Sequence, residues 1–221
     1  MNNQHAQSYY AATANSMAPY PTLDQDLVAD VCVIGGGFTG VNTAIELAQR
    51  GLSVIVLEAR RIGWGASGRN GGQLIRGVGH DVSGFARHVG AEGVRYLERA
   101  GIESVELVGN RIREHKIDCD LRWGFCELAN TKAQFAAFKA EQRSLAESGY
   151  AHQTCLVGPE QIRQQVVDSG VYAGGLVDMG SGHLHPLNLV LGEARLAHSL
   201  GVQIFEQSPV LELIHGSTVQ V

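Results

Sequence analysis

The feature that most constrains this 221-residue chain is the run Asp30-Val-Cys-Val-Ile-Gly-Gly-Gly-Phe-Thr-Gly40, followed by Val54-Ile-Val-Leu-Glu58. An apolar strand, Val31 to Ile34, runs directly into Gly35-x-Gly37-x-x-Gly40. Val41, Ala44, Ile45 and Ala48 then recur at helical spacing, and Gly51 stands where a helix cap is expected. A second strand, Ser53 to Leu57, ends on an acid. In such a unit Gly35 allows the tight turn, Gly37 lets backbone approach a pyrophosphate, and Gly40 lets helix pack on strand. The N–H groups and positive dipole end of the helix favour the phosphate charge. Glu58 lies 18 residues (58 − 40) beyond the last glycine, where a carboxylate accepts hydrogen bonds from a ribose diol. The whole strand–glycine–helix–strand–acid sequence predicts a doubly wound α/β dinucleotide-binding domain.

Composition narrows the class. A hydrophobic content of 44% supports a packed core, and a net charge of −5 gives no electrostatic reason to expect nucleic acid. The first residues lack the cationic and apolar regions of a signal peptide, and no apolar run is long enough to cross a bilayer. Cys32, Cys119, Cys126 and Cys155 are spaced for neither a zinc site nor a disulfide framework. Cys32 reads as a small core residue of the first strand. These features imply a reduced, cytoplasmic protein with no metal.

Three regions follow along the chain. Residues 1–26 read as a polar arm, too rich in helix breakers (Pro19, Pro21) for a helix. Residues 27–117 and 186–221 read as the dinucleotide-binding domain, and 118–185 as a β-rich portion of a substrate domain. Helical patterning from Val82 to about Ile117 predicts one or two helices interrupted near Gly101. Asp118 to Ala129 alternates like a strand pair, and Thr131-x-x-Gln134 offers a capping box for a helix ending near Gly149. His152 to Val157 and Val171 to Asp178 read as strands, with a short helix opened by Pro159 between them. Pro186 opens a helix to about Leu200, and Gly201 to Glu206 and Val210 to Ile214 read as further strands. The chain stops inside an apparent strand with too few strands for a full doubly wound sheet, so it reads as truncated.

Glycines and acid alone do not separate a nicotinamide cofactor from a flavin. The segment Ile62-Gly-Trp-Gly-Ala-Ser-Gly-Arg-Asn-Gly-Gly-Gln73 favours the flavin, because a glycine-rich loop stands where a simple nicotinamide fold would place its next crossover helix. A nicotinamide-dependent dehydrogenase is the competing reading.

The two glycine segments, Gly35 to Gly40 with Glu58 and Gly65 to Gln73, resemble the FAD-dependent amine and amino-acid oxidoreductases of the D-amino-acid-oxidase/glycine-oxidase type. Ser8-Tyr-Tyr-Ala-Ala-Thr-Ala-Asn15 and Gly182-His-Leu-His-Pro-Leu-Asn-Leu189 narrow the likeness to a putrescine-degrading branch of that family. The resemblance implies FAD as cofactor, oxidation of an amine C–N bond, and O2 as electron acceptor. It also implies that Gly35, Gly37, Phe38, Thr39 and Gly40 surround the pyrophosphate. Glu58, Ala59 and Arg60 would then hold the adenosine ribose, Ala66, Ser67, Asn70, Gly71 and Gly72 would line the flavin, and the Val210 backbone would meet the adenine. Members of the family continue well past the length of this chain.

Several residues carry two readings. Arg69 is a candidate for stabilising negative charge at the flavin or its phosphate, or a loop arginine pairing with backbone carbonyls; Gln73 closes the same loop. His183 and His185 would share one face of a strand, with His185 ending it before Pro186. Trp64 and Trp123 read first as packing residues and His80 as a surface residue, and Tyr9 and Tyr10 either close over the site or belong to an unstructured arm. No catalytic acid–base pair stands out.

Overall fold

A computed structural model describes residues 4–79 and 82–221; His80 lies outside the described residues. In chain order the helices are α1 (Tyr9–Ala12), α2 (Phe38–Gln49), α3 (Ala86–Glu114), α4 (Lys132–Glu147), α5 (Pro159–Gln165) and α6 (Pro186–Ser199). The strands are β1 (Val31–Ile34), β2 (Val54–Leu57), β3 (Gln73–Leu74), β4 (Arg122–Ala129), β5 (Thr154–Val157), β6 (Gly174–His183) and β7 (Gln203–Phe205). They fold as two compact units. One holds residues 1–72, 111–120 and 185–221; the other holds 73–110 and 121–184. Residues 73–110, assigned from sequence to the dinucleotide-binding stretch, thus group with the antiparallel sheet.

The first unit is a parallel sheet ordered β1–β2–β7. Val31 to Ile34 pair with Val54 to Leu57, and Ile55 to Leu57 pair in turn with Gln203 to Phe205. Helix α2 makes the β1–β2 crossover. The crossover helix into the third strand is α6, which arrives only after the whole of the second unit. Val41, Ala44 and Ile45 of α2 pack with Val54, Val56, Leu187, Val190 and Ala194 as one buried cluster, the apolar stripe that the helical spacing predicted. On the opposite sheet face Ile55, Leu57 and Phe205 are covered by Leu23, Leu27, Ala29 and Val210.

That cover does not extend over β1, whose side chains alternate between half-buried and exposed. Cys32 is therefore exposed, not a core residue: it points to the sheet face away from α2. Two other expectations are corrected. Residues 210–214 form no strand; Ile214 makes a single bridge to Gln220, and Val210 packs under the sheet instead. The arm holds a short helix, α1, because Ser8 Oγ accepts the Ala11 N–H (3.2 Å) well before the prolines at 19 and 21.

In the second unit β6 is central and antiparallel to its neighbours, with β4 along one edge and β3 and β5 in tandem along the other. The strand pair expected over 118–129 is a single strand, because its alternation is broken by a register shift at Gly124 (φ 112°). The break expected near Gly101 lies at Gly90 (φ 68°). Gly101 stays helical, and a Cβ there would lie 2.6 Å from the Gly77 Cα, so close approach explains that glycine. The predicted capping box is present: Thr131 Oγ1 accepts the Gln134 N–H (3.2 Å) and Gln134 Oε1 accepts the Thr131 N–H (3.1 Å). Helix α4 then covers Leu176 and Ala129 with Phe138 and Phe135.

Asp178 is the polar centre of this unit. It is 4% exposed, yet accepts from Arg76 Nε (2.9 Å), Ser181 Oγ (2.9 Å), Tyr150 Oη (3.0 Å) and the Gly180 N–H (2.9 Å). Arg76 also reaches Glu141 (2.6 Å). Burial, with the Asp178 carboxylate beside it, pushes the Tyr150 hydroxyl well above the usual phenol range.

A second buried acid, Glu193 of α6, faces Asn42 of α2 in the first unit. Asn42 Nδ2 donates to it (2.9 Å) and Arg111 Nη1 lies 3.7 Å away, while Arg111 also pairs with Asn42 Oδ1 and Glu46. Burial pushes Glu193 up to about 7 against the opposing pull of Asn42 and Arg111. The folded state therefore holds a proton that the unfolded chain releases near the ordinary value, and stability falls as pH rises from about 4.5 to 7. Glu193→Gln is expected to remove this fall, worth about 3 kcal/mol. Thermal melts of both proteins between pH 5 and 8 check this: the gain from the substitution should grow up to pH 7 and then level off. A gain independent of pH refutes it.

Candidate cofactor site

The site is assembled within the first unit, where β1 and β2 end. Gly35 turns the chain at φ +106°, a conformation that glycine adopts without strain, and its N–H donates to the Leu57 carbonyl (2.8 Å). Gly37 caps α2, and no acidic side chain occupies the first turn to neutralise the positive end of the helix. Gly40 lies against the turn itself: a Cβ there would sit 1.9 Å from the Gly35 carbonyl oxygen. Gly35 thus makes the turn and Gly40 lets helix pack on strand at the carboxyl end of the sheet.

The loop after β2 closes over the same helix end. Gly63 N–H donates to the Gly36 carbonyl (2.9 Å), and Ser67 Oγ accepts the Phe38 N–H (2.9 Å). Residues Ala66–Gly68 form one 3-10 turn. Asn70 braces it by donating to the Ala66 (3.2 Å) and Ser67 (2.9 Å) carbonyls and accepting the Gly72 N–H (2.9 Å). The two glycine segments, far apart in the chain, are thus one structure.

Glu58 follows β2 directly. Its Oε2 accepts the Gly36 N–H (2.7 Å) and its Oε1 the Arg60 N–H (2.8 Å). Each oxygen keeps a further lone pair, so the carboxylate is oriented by the glycine turn and still able to accept a sugar diol. Ala59 is exposed beside it. Arg60 and Arg69 flank the Trp64 ring at 3.8 and 5.0 Å, and Arg69 Nε donates to the Gly65 carbonyl (3.2 Å), the backbone-pairing alternative of its two readings. Val210 lines a cleft of about 520 Å³ with Leu57, Leu23 and Ser208. Gln73 opens β3 in the second unit.

His185 is buried and caps α6: Nδ1 accepts the Asn188 N–H (3.1 Å), while Nε2 meets Thr13 Oγ1 (3.1 Å). Tyr10 packs edge-on against its ring at 5.0 Å. Tyr9 and Tyr10 therefore belong to an ordered arm rather than an unstructured one. Three acids carry structure that the sequence reading missed: Glu206, Glu193 and Asp178. Glu206 and Asp178 each had a local signal, since each ends a strand read from the sequence, as Glu58 follows one. Among the described residues no helix is long and apolar enough to cross a membrane.

This geometry, a parallel sheet whose glycine turn leads into α2 and is joined by a second glycine loop, is that of a dinucleotide-binding α/β protein. The chain belongs to the FAD dependent oxidoreductase family, matched over residues 30–221. It is 41% identical over 218 residues to gamma-glutamylputrescine oxidoreductase of Escherichia coli (strain K12), covering 99% of this chain and 51% of that protein. It is also 41% identical to the probable oxidoreductase OrdL of Haemophilus influenzae over 212 residues, 96% of this chain and 49% of that one. Among solved structures it is similar in fold to L-amino acid deaminase from Proteus vulgaris, with a TM-score of 0.72 at 20% identity over 90% of this chain and 45% of the other. Glycine oxidase from Bacillus cereus gives a TM-score of 0.62 at 22% identity over 86% of this chain and 49% of the other. The chain spans about half the length of the curated relatives it matches. FAD is the cofactor of the family, which decides between the flavin and nicotinamide readings.

Proposed function

We propose that this chain holds FAD for the oxidation of an amine C–N bond, with γ-glutamylputrescine as substrate and O2 as the acceptor. What carries the reading is the union of the two glycine segments: the Ser67–Phe38 hydrogen bond sets the loop at the amino end of α2, with Glu58 held at the same turn. The amide groups of Thr39 and Gly40 would bind the diphosphate, with Gly35 and Gly37 giving access and Phe38, its own N–H held by Ser67, beside them. Glu58, with Ala59 and Arg60, would accept the ribose, and the cleft at Val210 would take the adenine. Ala66, Ser67, Asn70, Gly71 and Gly72, flanked by Arg69 and Gln73, would border the flavin ring.

Bound FAD would supply a two-electron acceptor for the carbon next to nitrogen; with water and O2 as co-reactants, the primary amine of γ-glutamylputrescine would yield an aldehyde, ammonia and H2O2. This chain's residues bind and orient; none is assigned as a catalytic acid or base. A cytoplasmic setting suits the four free thiols.

Reconstitution with FAD and a peroxide assay on γ-glutamylputrescine and putrescine test the proposal. A flavin-bound protein releasing peroxide with the γ-glutamyl compound supports it, and a protein that takes up no flavin overturns it. Because the chain spans about half of its relatives' length, the second reading is a flavin-holding part without turnover of its own. Flavin uptake with no peroxide favours that reading.

A further inference from the structure

Resting on the FAD-holding reading, we infer that Glu206 is a positioning residue that ties the amino-terminal arm to the cofactor loop, so that the arm helps to hold FAD. Glu206 follows β7 and is 2% exposed, a costly place for a carboxylate unless its lone pairs are filled. They are filled from two directions. From the loop, Oε1 accepts the Ile62 N–H (2.8 Å) and Oε2 accepts Arg61 Nη1 (3.1 Å). From the arm, Oε2 accepts the Tyr20 N–H (3.1 Å), and the Glu206 N–H donates to the Pro21 carbonyl (3.0 Å).

Ile62 is fully buried and immediately precedes Gly63, whose N–H fixes the loop to Gly36. The chain of contacts therefore runs from the arm through Glu206 to Ile62, and from there to the glycine turn that would meet the diphosphate. Two further contacts follow the same course. Ser208 Oγ accepts the Leu23 N–H (2.9 Å), and Trp64 Nε1 of the loop donates to the Gln4 carbonyl (3.0 Å). Farther along the arm, Asn188 Oδ1 accepts the Asn15 N–H (2.8 Å), so α6 and the end of β7 pin the arm at separate points. Only an acceptor without protons can serve the cation and both amide donors at once, which explains an acid rather than an amide here.

Amide hydrogen exchange and FAD titration on the wild-type chain, Glu206→Leu and Glu206→Gln test this. Glu206→Leu removes every side-chain contact; the Ile62 and Tyr20 amides are expected to exchange at least about tenfold faster together, and the Kd for FAD to rise about tenfold or more. Glu206→Gln keeps the shape and one acceptor, and is expected to fall between wild type and Leu, giving a result even if the Leu variant fails to fold. Unchanged exchange at Ile62 or Tyr20 overturns the tie. Faster exchange with unaltered FAD affinity overturns the arm's part in holding FAD. A wild-type chain that takes up no FAD overturns the proposed function and that same part of the inference, while the exchange rates still decide the tie.

Discussion

Gly40→Ala is expected to weaken FAD binding by about 10- to 100-fold and to lower stability by about 1–3 kcal/mol. The added Cβ would lie 1.9 Å from the Gly35 carbonyl oxygen and 3.3 Å from Val33 Cγ1. The oxygen belongs to backbone and cannot rotate away, so α2 must retreat from the turn. Its leading amides would then move off the proposed diphosphate position, and each charge-assisted hydrogen bond lost would cost about 1.5–3 kcal/mol. Gly35→Ala fails for a different reason: nothing lies within 4 Å of its Cβ position, but φ is +106°, which costs about 1–3 kcal/mol of backbone strain. Gly65→Ala is the control, having open space and an ordinary φ of −78°. The folded chain gives it no reason to be glycine, so a loss of FAD affinity without loss of stability there would mark contact with the ligand. Flavin titration and thermal melts separate the three cases. Gly40→Ala binding FAD as tightly as wild type would refute the placement of the diphosphate.

Asp178→Ala is expected to cost about 3–5 kcal/mol, a large share of the roughly 5–15 kcal/mol available to a domain. Four donors converge on this one carboxylate. Its removal takes from Arg76 one of its two carboxylate partners, leaving Glu141, and takes from the Tyr150 hydroxyl its carboxylate acceptor. Asp178→Asn keeps the volume but turns an N–H2 toward donors, so it should lie between wild type and Ala. Urea unfolding followed by far-ultraviolet circular dichroism measures all three. A midpoint for Asp178→Ala equal to wild type would show that the network adds nothing.

The parts of the fold legible in the sequence are those fixed by neighbours in the chain. The turn at Gly35, the start of α2, the Thr131 capping box and the acid after β2 each depend on residues within a few positions. What the sequence concealed depends on distant partners. Cys32 looks like core until the sheet shows which face α2 covers. Residues 210–214 look like a strand, but Val210 is spent covering Leu57 and Phe205 rather than pairing. Gly101 looks like a helix breaker until Gly77 is seen against it. Glu206 and Asp178 are single acids in apolar surroundings, and only the donors brought by other segments explain them. The glycine loop after β2 stands out in the sequence by its composition. Its attachment through Ser67 to Phe38 does not, because a serine hydroxyl and a backbone amide leave no pattern in sequence.

The order β1–β2–β7 has a consequence for how the chain is made. Strand β2 ends at Leu57, and the strand that satisfies its second edge begins only at Gln203. During synthesis the apolar edge Val54-Ile-Val-Leu57 leaves the ribosome long before its partner exists, and such non-local pairing is slow to form. The nascent chain therefore carries an unsealed strand until Gln203 to Phe205 emerge, and through that interval a chaperone's shelter would serve it.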